Sequence, residues 1–120
     1  MKKNIACVGC KLDCKYAQIM TSPKTSVKFA GKATYAGDLT IQISGYSSSI
    51  ITVSGSGSGS DTLHPSAQHV KIDGEKAVLE GDKVTIKVYG QAYSGQSTIN
   101  VTEDVTVTVV DAGQSVGKGE

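Results

Sequence analysis

The chain has no tryptophan, a single phenylalanine (Phe29) and only 5% aromatic residues. Its core must therefore be filled by Val, Ile, Leu and Ala, which suits a thin, tightly wound β-structure better than a thick sandwich. With only two prolines, Pro23 and Pro65, an extended Pro-rich linker is excluded. No stretch approaches the ~20 apolar residues of a membrane helix. Met1-Lys2-Lys3 opens like a leader, yet Asn4, Gly9, Lys11, Asp13 and Lys15 interrupt any apolar run behind it. The expectation is a chain made in the cytosol, without stable membrane anchoring. A net charge of +1 gives no electrostatic footprint for nucleic acid. No Ser or Cys stands with a His and an acid at a recognisable spacing. The paired carboxylates Glu80/Asp82 and Glu103/Asp104 lack a separate general base, so no enzymatic activity is expected.

At 120 residues one domain is expected, burying roughly two-thirds of its unfolded surface. Alternation dominates from Ser26 onward. Leu39, Ile41 and Ile43 interleave with Thr40 and Gln42; Val84, Ile86 and Val88 with Thr85 and Lys87; Val105, Val107 and Val109 with Thr106 and Thr108. A period of two with Thr and Lys on the other face marks half-buried antiparallel strands. Val27, Phe29, Val70 and Ile72 are expected inward as well, with Lys28 and Lys71 outward. Only Tyr16–Met20 offers a short helical turn, followed at once by Pro23.

One arrangement occurs twice. Val70-Lys71-Ile72-Asp73-Gly74 leads through Ala77 and Leu79 to Gly81-Asp82, and Val27-Lys28-Phe29-Ala30-Gly31 leads in the same way to Gly37-Asp38. The first valines lie 43 positions apart and the Gly-Asp pairs 44 apart. Asp73-Gly74 is a strong hairpin signal, with Gly74 and Gly31 supplying the positive φ of a tight turn. Asp82 is expected to bond backbone N–H groups at the corner it forms with Gly81, and Gly37-Asp38 is the matching corner of the first copy. A unit used twice points to copies that bury each other's apolar faces. A third, degenerate pass is expected where Val105, Val107 and Val109 lead into Asp111-Ala112-Gly113. The resulting division is a Cys-containing N-terminal segment (1–25), a first β unit (26–53), a Ser/Gly loop (54–66), a second β unit with its closing strand (67–113) and a flexible tail (114–120). The alternating Ser54–Ser60 tract is read as a mobile loop, because it has no apolar surface with which to order itself.

Cys7-x-x-Cys10-x-x-x-Cys14 is the one cluster with chemical potential. Two thiolates at that spacing reach one tetrahedral Zn or Fe ion, Cys14 adds a third ligand, and His69, beside the repeat strand, is a better fourth than His64. Free thiols and a disulfide between two of the three stand as alternatives.

The repeated V-x-I-x-G-x-x-x-x-x-x-G-D-x-V pattern resembles the signature of the PAAR and PAAR-like proteins. Val8-Gly9-Cys10-Lys11-Leu12-Asp13-Cys14 is similar to the G-x-x-L-x-C start of the PAAR-like group, and Val107–Gln114 to its terminal strand followed by Gly-Gln. Metal-bearing members use several histidines and a cysteine near the point, whereas this chain has two histidines. The resemblance implies an all-β, small tapered domain built from short repeated β-hairpin units. It also implies a mechanical role: capping and sharpening the trimeric spike (VgrG-like or tail-spike) protein of a type VI secretion, contractile injection or phage tail machine, with an effector as possible cargo. Such a tip is loaded in the cytoplasm and then delivered outward. From another class, a secreted or surface β-sandwich for adhesion or carbohydrate binding also accommodates Thr/Val strands and Ser/Gly loops. A small metal-binding protein rests on the cysteines alone.

Overall fold

The computed structural model describes residues 2–119. Twelve strands follow one another: β1 (Lys3–Asn4), β2 (Lys11–Leu12), β3 (Ala17–Ile19), β4 (Lys24–Phe29), β5 (Lys32–Thr34), β6 (Leu39–Tyr46), β7 (Gly57–Leu63), β8 (Lys71–Ile72), β9 (Glu75–Lys76), β10 (Lys83–Ser94), β11 (Ser97–Asp111) and β12 (Lys118–Gly119). No helix occurs among the described residues. The domain is all-β, as the alternation of Val and Ile with Thr and Lys requires. Ala17–Ile19, inside the segment expected as a helical turn, is instead strand β3, because its backbone finds a ladder on Ile41–Ile43.

Six strands form one antiparallel sheet in the order β2-β11-β10-β7-β6-β3, curled into a nearly closed barrel. Its interior holds Leu39, Ile41, Ile43, Leu63, Ile86, Val88, Val107 and Val109, all fully buried. Aliphatic residues fill it because a barrel of only six strands leaves a narrow bore. The strands end at different heights. β3 meets Ile43, β6 and β7 finish at the Tyr46–Gly57 pair, and the β10–β11 hairpin runs on to Ser94 and Ser97. The molecule thus narrows towards the β10–β11 end, where the loop before β7 flanks β10 through Val53 N–H on the Gln91 carbonyl and Tyr93 N–H on Thr52 Oγ1, and its dimensions are 54 × 24 × 23 Å.

The Ser/Gly segment departs from its expected role. Gly57–Leu63 is strand β7, paired with β6 along one edge and with β10 at Ser58–Tyr89. The glycines are there for closeness rather than mobility. A Cβ on Gly59 would lie 2.5 Å from the Lys87 carbonyl oxygen, and one on Gly57 2.7 Å from that of Tyr46. Ordering comes from the ladder on both sides, which composition alone does not reveal.

At the other end sit three separate two-stranded hairpins: β4–β5, β8–β9 and β12–β1. The last pairs residues from opposite ends of the chain, Lys3 with Gly119 and Asn4 with Lys118. The segment 114–119, expected as a flexible tail, is therefore part of the structure. The third copy of the repeat is not the Val105–Gly113 pass; it is assembled from 114–119 and 3–12. Of the residues expected inward, Val27 is 37% exposed, while Phe29, Val70, Val84 and Val105 are half-buried and the others buried. Lys28, Lys71, Thr85 and Lys87 face outward, as alternation requires.

Candidate functional site

Where the hairpins meet the barrel, three backbone segments close a ring. Ala6 N–H donates to the Val78 carbonyl (2.8 Å), Val78 N–H to the Tyr35 carbonyl (3.0 Å) and Tyr35 N–H to the Ala6 carbonyl (2.9 Å). The flanking bridges repeat the same cycle, with Ile5 against Leu79, Thr34 against Cys7 and Ala77 against Ala36. Each bridge joins the residue before one ring member to the residue after another. Ala6, Tyr35 and Val78 are therefore related by a pseudo-threefold axis within a single chain.

The symmetry extends outward. The three ring segments end at Gly9 (φ 95°), Gly37 (φ 78°) and Gly81 (φ 98°), where only glycine takes that conformation without strain. Over each glycine lies a long side chain from the neighbouring hairpin. A Cβ added at Gly9 would meet Lys32 Nζ at 3.9 Å, at Gly37 it would collide with Glu75, and at Gly81 it would meet Lys3 Nζ at 3.6 Å. Lys32, Glu75 and Lys3 are equivalent positions, each pairing with the inward residue Phe29, Ile72 or Gly119. Two of the turns are alike in detail. Ala30 and Asp73 share φ 53°, followed by Gly31 at 78° and Gly74 at 80°. Both central residues at positive φ are what a two-residue hairpin turn needs.

Hydrogen bonds and packing join the three hairpins. Ser26 Oγ donates to both Asp73 carboxylate oxygens at 2.8 Å, and Lys24 pairs with Glu75 at 3.4 Å. A Cβ on Gly117 would enter the Phe29 ring at 2.5 Å, so the third hairpin fits only because it is nearly bare. Ile5, Ala36, Ala67, Ile72, Ala77 and Leu79 form a second small core between ring and hairpins.

The two Gly-Asp corners differ. Asp82 is 5% exposed; its carboxylate accepts Leu79 N–H (2.9 Å), Ser66 N–H (3.3 Å) and the Ser66 hydroxyl. Asp38 is exposed and faces His64 Nδ1 at 3.0 Å. The corner expectation thus holds at Asp82, while Asp38 reaches a side chain in solvent. In the third unit Cys10 occupies the equivalent position after Gly9.

The proposed metal ligands are not assembled. Among the described residues no three His, Cys, Asp or Glu side chains converge, and His69 is exposed on the loop before β8. Cys7, Cys10 and Cys14 are free thiols. Cys7 is fully buried with its Sγ 3.6 Å from the Ile5 carbonyl, while Cys10 and Cys14 pack against the barrel core. Burial pushes the Cys7 thiol up despite a lowering backbone bond at Phe29 and the Lys32 charge. Burial, reinforced by a Cys7 charge, pushes Cys10 up to about 11. Cys7 fills space beside the ring, while Cys10 and Cys14 lie along the barrel, Cys14 near Tyr46.

Two features escaped sequence reasoning. The ring residue Ala6 carries no side-chain signal, since only its backbone acts. Gln114 lies in the Gly-Gln ending and clasps both chain ends. Its Nε2 donates to Ile5 O (2.8 Å) and Gly117 O (2.7 Å), and its Oε1 accepts Val116 N–H (2.6 Å) and Gly117 N–H (2.7 Å). Compared with family models, curated proteins and solved structures, the chain has no significant match in any of the three.

Proposed function

We propose that this protein is a non-enzymatic tip that caps a trimeric spike, with the hairpin end seated on the spike and the β10–β11 end pointing away. The observation that carries the reading is the closed ring of Ala6, Tyr35 and Val78, which gives one chain the symmetry of a three-chain partner. A single chain with threefold-equivalent backbone segments meets three identical subunits in three similar ways. Short strands, tight turns and a small-residue core favour stiffness over a moving part. The unequal strand heights supply the taper, and the PAAR-like signature of the sequence points the same way.

The test is co-expression with candidate trimeric spike proteins of contractile injection, type VI secretion and phage tail machines, followed by light scattering on a sizing column. The expected species is one copy of this chain per spike trimer, with the chain alone monomeric. A chain that trimerises by itself, or that leaves the spike unbound while binding a defined glycan, sinks the reading.

A further inference from the structure

The charges of this near-neutral chain are strongly segregated. Among the described residues, the three hairpins with Lys2 carry eight of the twelve lysines (2, 3, 24, 28, 32, 71, 76 and 118) against two carboxylates, Asp73 and Glu75; Glu120, which follows β12, lies outside the described residues. The rest of the described chain carries four lysines against eight carboxylates. Three of the hairpin lysines are symmetry equivalents. Lys28 opposes Ala33, Lys71 opposes Lys76 and Lys118 opposes Asn4, each one residue before the inward Phe29, Ile72 or Gly119. All three are exposed, and none forms an ion pair with a described residue.

Resting on the spike-cap reading, we infer that Lys28, Lys71 and Lys118 form a three-pronged cationic docking face for a protein end that repeats a carboxylate about a threefold axis. One lysine meets one subunit. Isolated exposed lysines contribute little each, since water screens them. Three that engage together make the second and third contacts intramolecular, and the affinity compounds. The acidic body repels the same partner, so only the hairpin end is attracted; charge sets orientation as well as encounter rate. A nucleic acid or lipid surface offers no threefold repeat to match, and the acidic body disfavours both.

The test uses the full-length chain and the trimeric spike protein selected by the co-expression test in a binding titration at about 50 and 500 mM salt, with thermal melts as the folding control. Single Lys28→Gln, Lys71→Gln and Lys118→Gln variants are expected to weaken binding by a similar factor of about 3–5 each, in line with exposed charge pairs. The triple Lys→Glu variant is expected to lose at least about 100-fold, with the wild-type loss concentrated at high salt. If the triple variant melts below the wild type, the triple Lys→Gln variant replaces it. A properly folded triple variant that binds like wild type overturns the docking face and leaves the cap reading standing. A wild type that fails to bind at either salt overturns the cap reading itself. Equally tight lysine-dependent binding of duplex DNA or phosphatidylglycerol vesicles, or salt-sensitive self-association of the chain alone, overturns the docking face in favour of those partners.

Discussion

The side-chain amide of Gln114 donates to the main-chain oxygen of Ile5 across 2.8 Å of space and 109 positions of sequence. This bond converts two unrelated-looking chain ends into the third copy of a repeat. Gln114→Ala leaves the carbonyls of Ile5 and Gly117 and two N–H groups without this partner. A loss of about 2 kcal/mol is expected, in the range for partly buried groups stripped of their bonds. Gln114→Glu keeps the acceptor half but cannot donate to either carbonyl, so it should not rescue. Urea denaturation of the three proteins checks both statements.

The Ser-Gly tract is a strand held at close quarters, so its glycines should be far less replaceable than its serines. Gly59→Ala drives a methyl group against the Lys87 carbonyl, which is backbone and cannot swing aside. Destabilisation of about 1–3 kcal/mol is expected, as for other overpacked sites. Ser58→Ala and Ser60→Ala, both at exposed positions, should change stability by less than about 0.5 kcal/mol. Equal tolerance at all three positions would return the tract to the role of a linker.

The corner aspartates should part company on substitution. Asp82→Ala removes acceptors from Leu79 N–H and from Ser66 at a buried site, with an expected cost of about 2–3 kcal/mol. Asp38→Ala removes only a solvent-exposed contact with His64, and its effect should lie within about 0.5 kcal/mol. Thermal melts at neutral pH compare the two directly.

Alkaline pH should destabilise the fold. Cys10 titrates near 11 in the folded state against an ordinary value of 9.0, and Cys7, Tyr35 and Tyr46 are all shifted upward, chiefly by burial. A raised folded value means the unfolded chain releases its proton first. Stability is therefore fully present below about pH 9 and falls as pH rises towards 11. Melting temperatures should be flat from pH 7 to 8.5 and then decline, with a shallower decline in Cys10→Ala. An unchanged slope in that variant assigns the loss to Cys7 and the tyrosines.

Much of the fold was legible because it rests on local rules. Period-two alternation placed Ile41, Ile43, Ile86, Val107 and Val109 inside, the positive-φ requirement of tight turns marked Gly31 and Gly74, and the repeated Gly-Asp corners marked Gly37 and Gly81. These signals act within a few residues, so the sequence displays them. The mistaken readings share another cause. Gly57–Leu63 reads as a loop because its ordering comes from β6 and β10, and 114–119 reads as a tail because its partner is at the opposite end of the chain. The cysteine cluster shows the same limit of local rules: spacing puts Cys7 and Cys10 near each other in the chain, but where each thiol sits is decided by what packs around it.

By itself the sequence determined the strand class, the two hairpin units and the turns that end them, since backbone sterics and side-chain alternation are local. Only the tertiary structure decided that there are three units rather than two. The third is made of pieces separated by more than a hundred residues and joined by Gln114 and the ring bonds of Ala6. Its hairpin positions hold Gly117 and Gly119, because the Phe29 ring and Val70 already occupy the space side chains would need. A repeat whose apolar residues have been replaced by glycine leaves no hydrophobic pattern to read, and only packing against its two sister units reveals it.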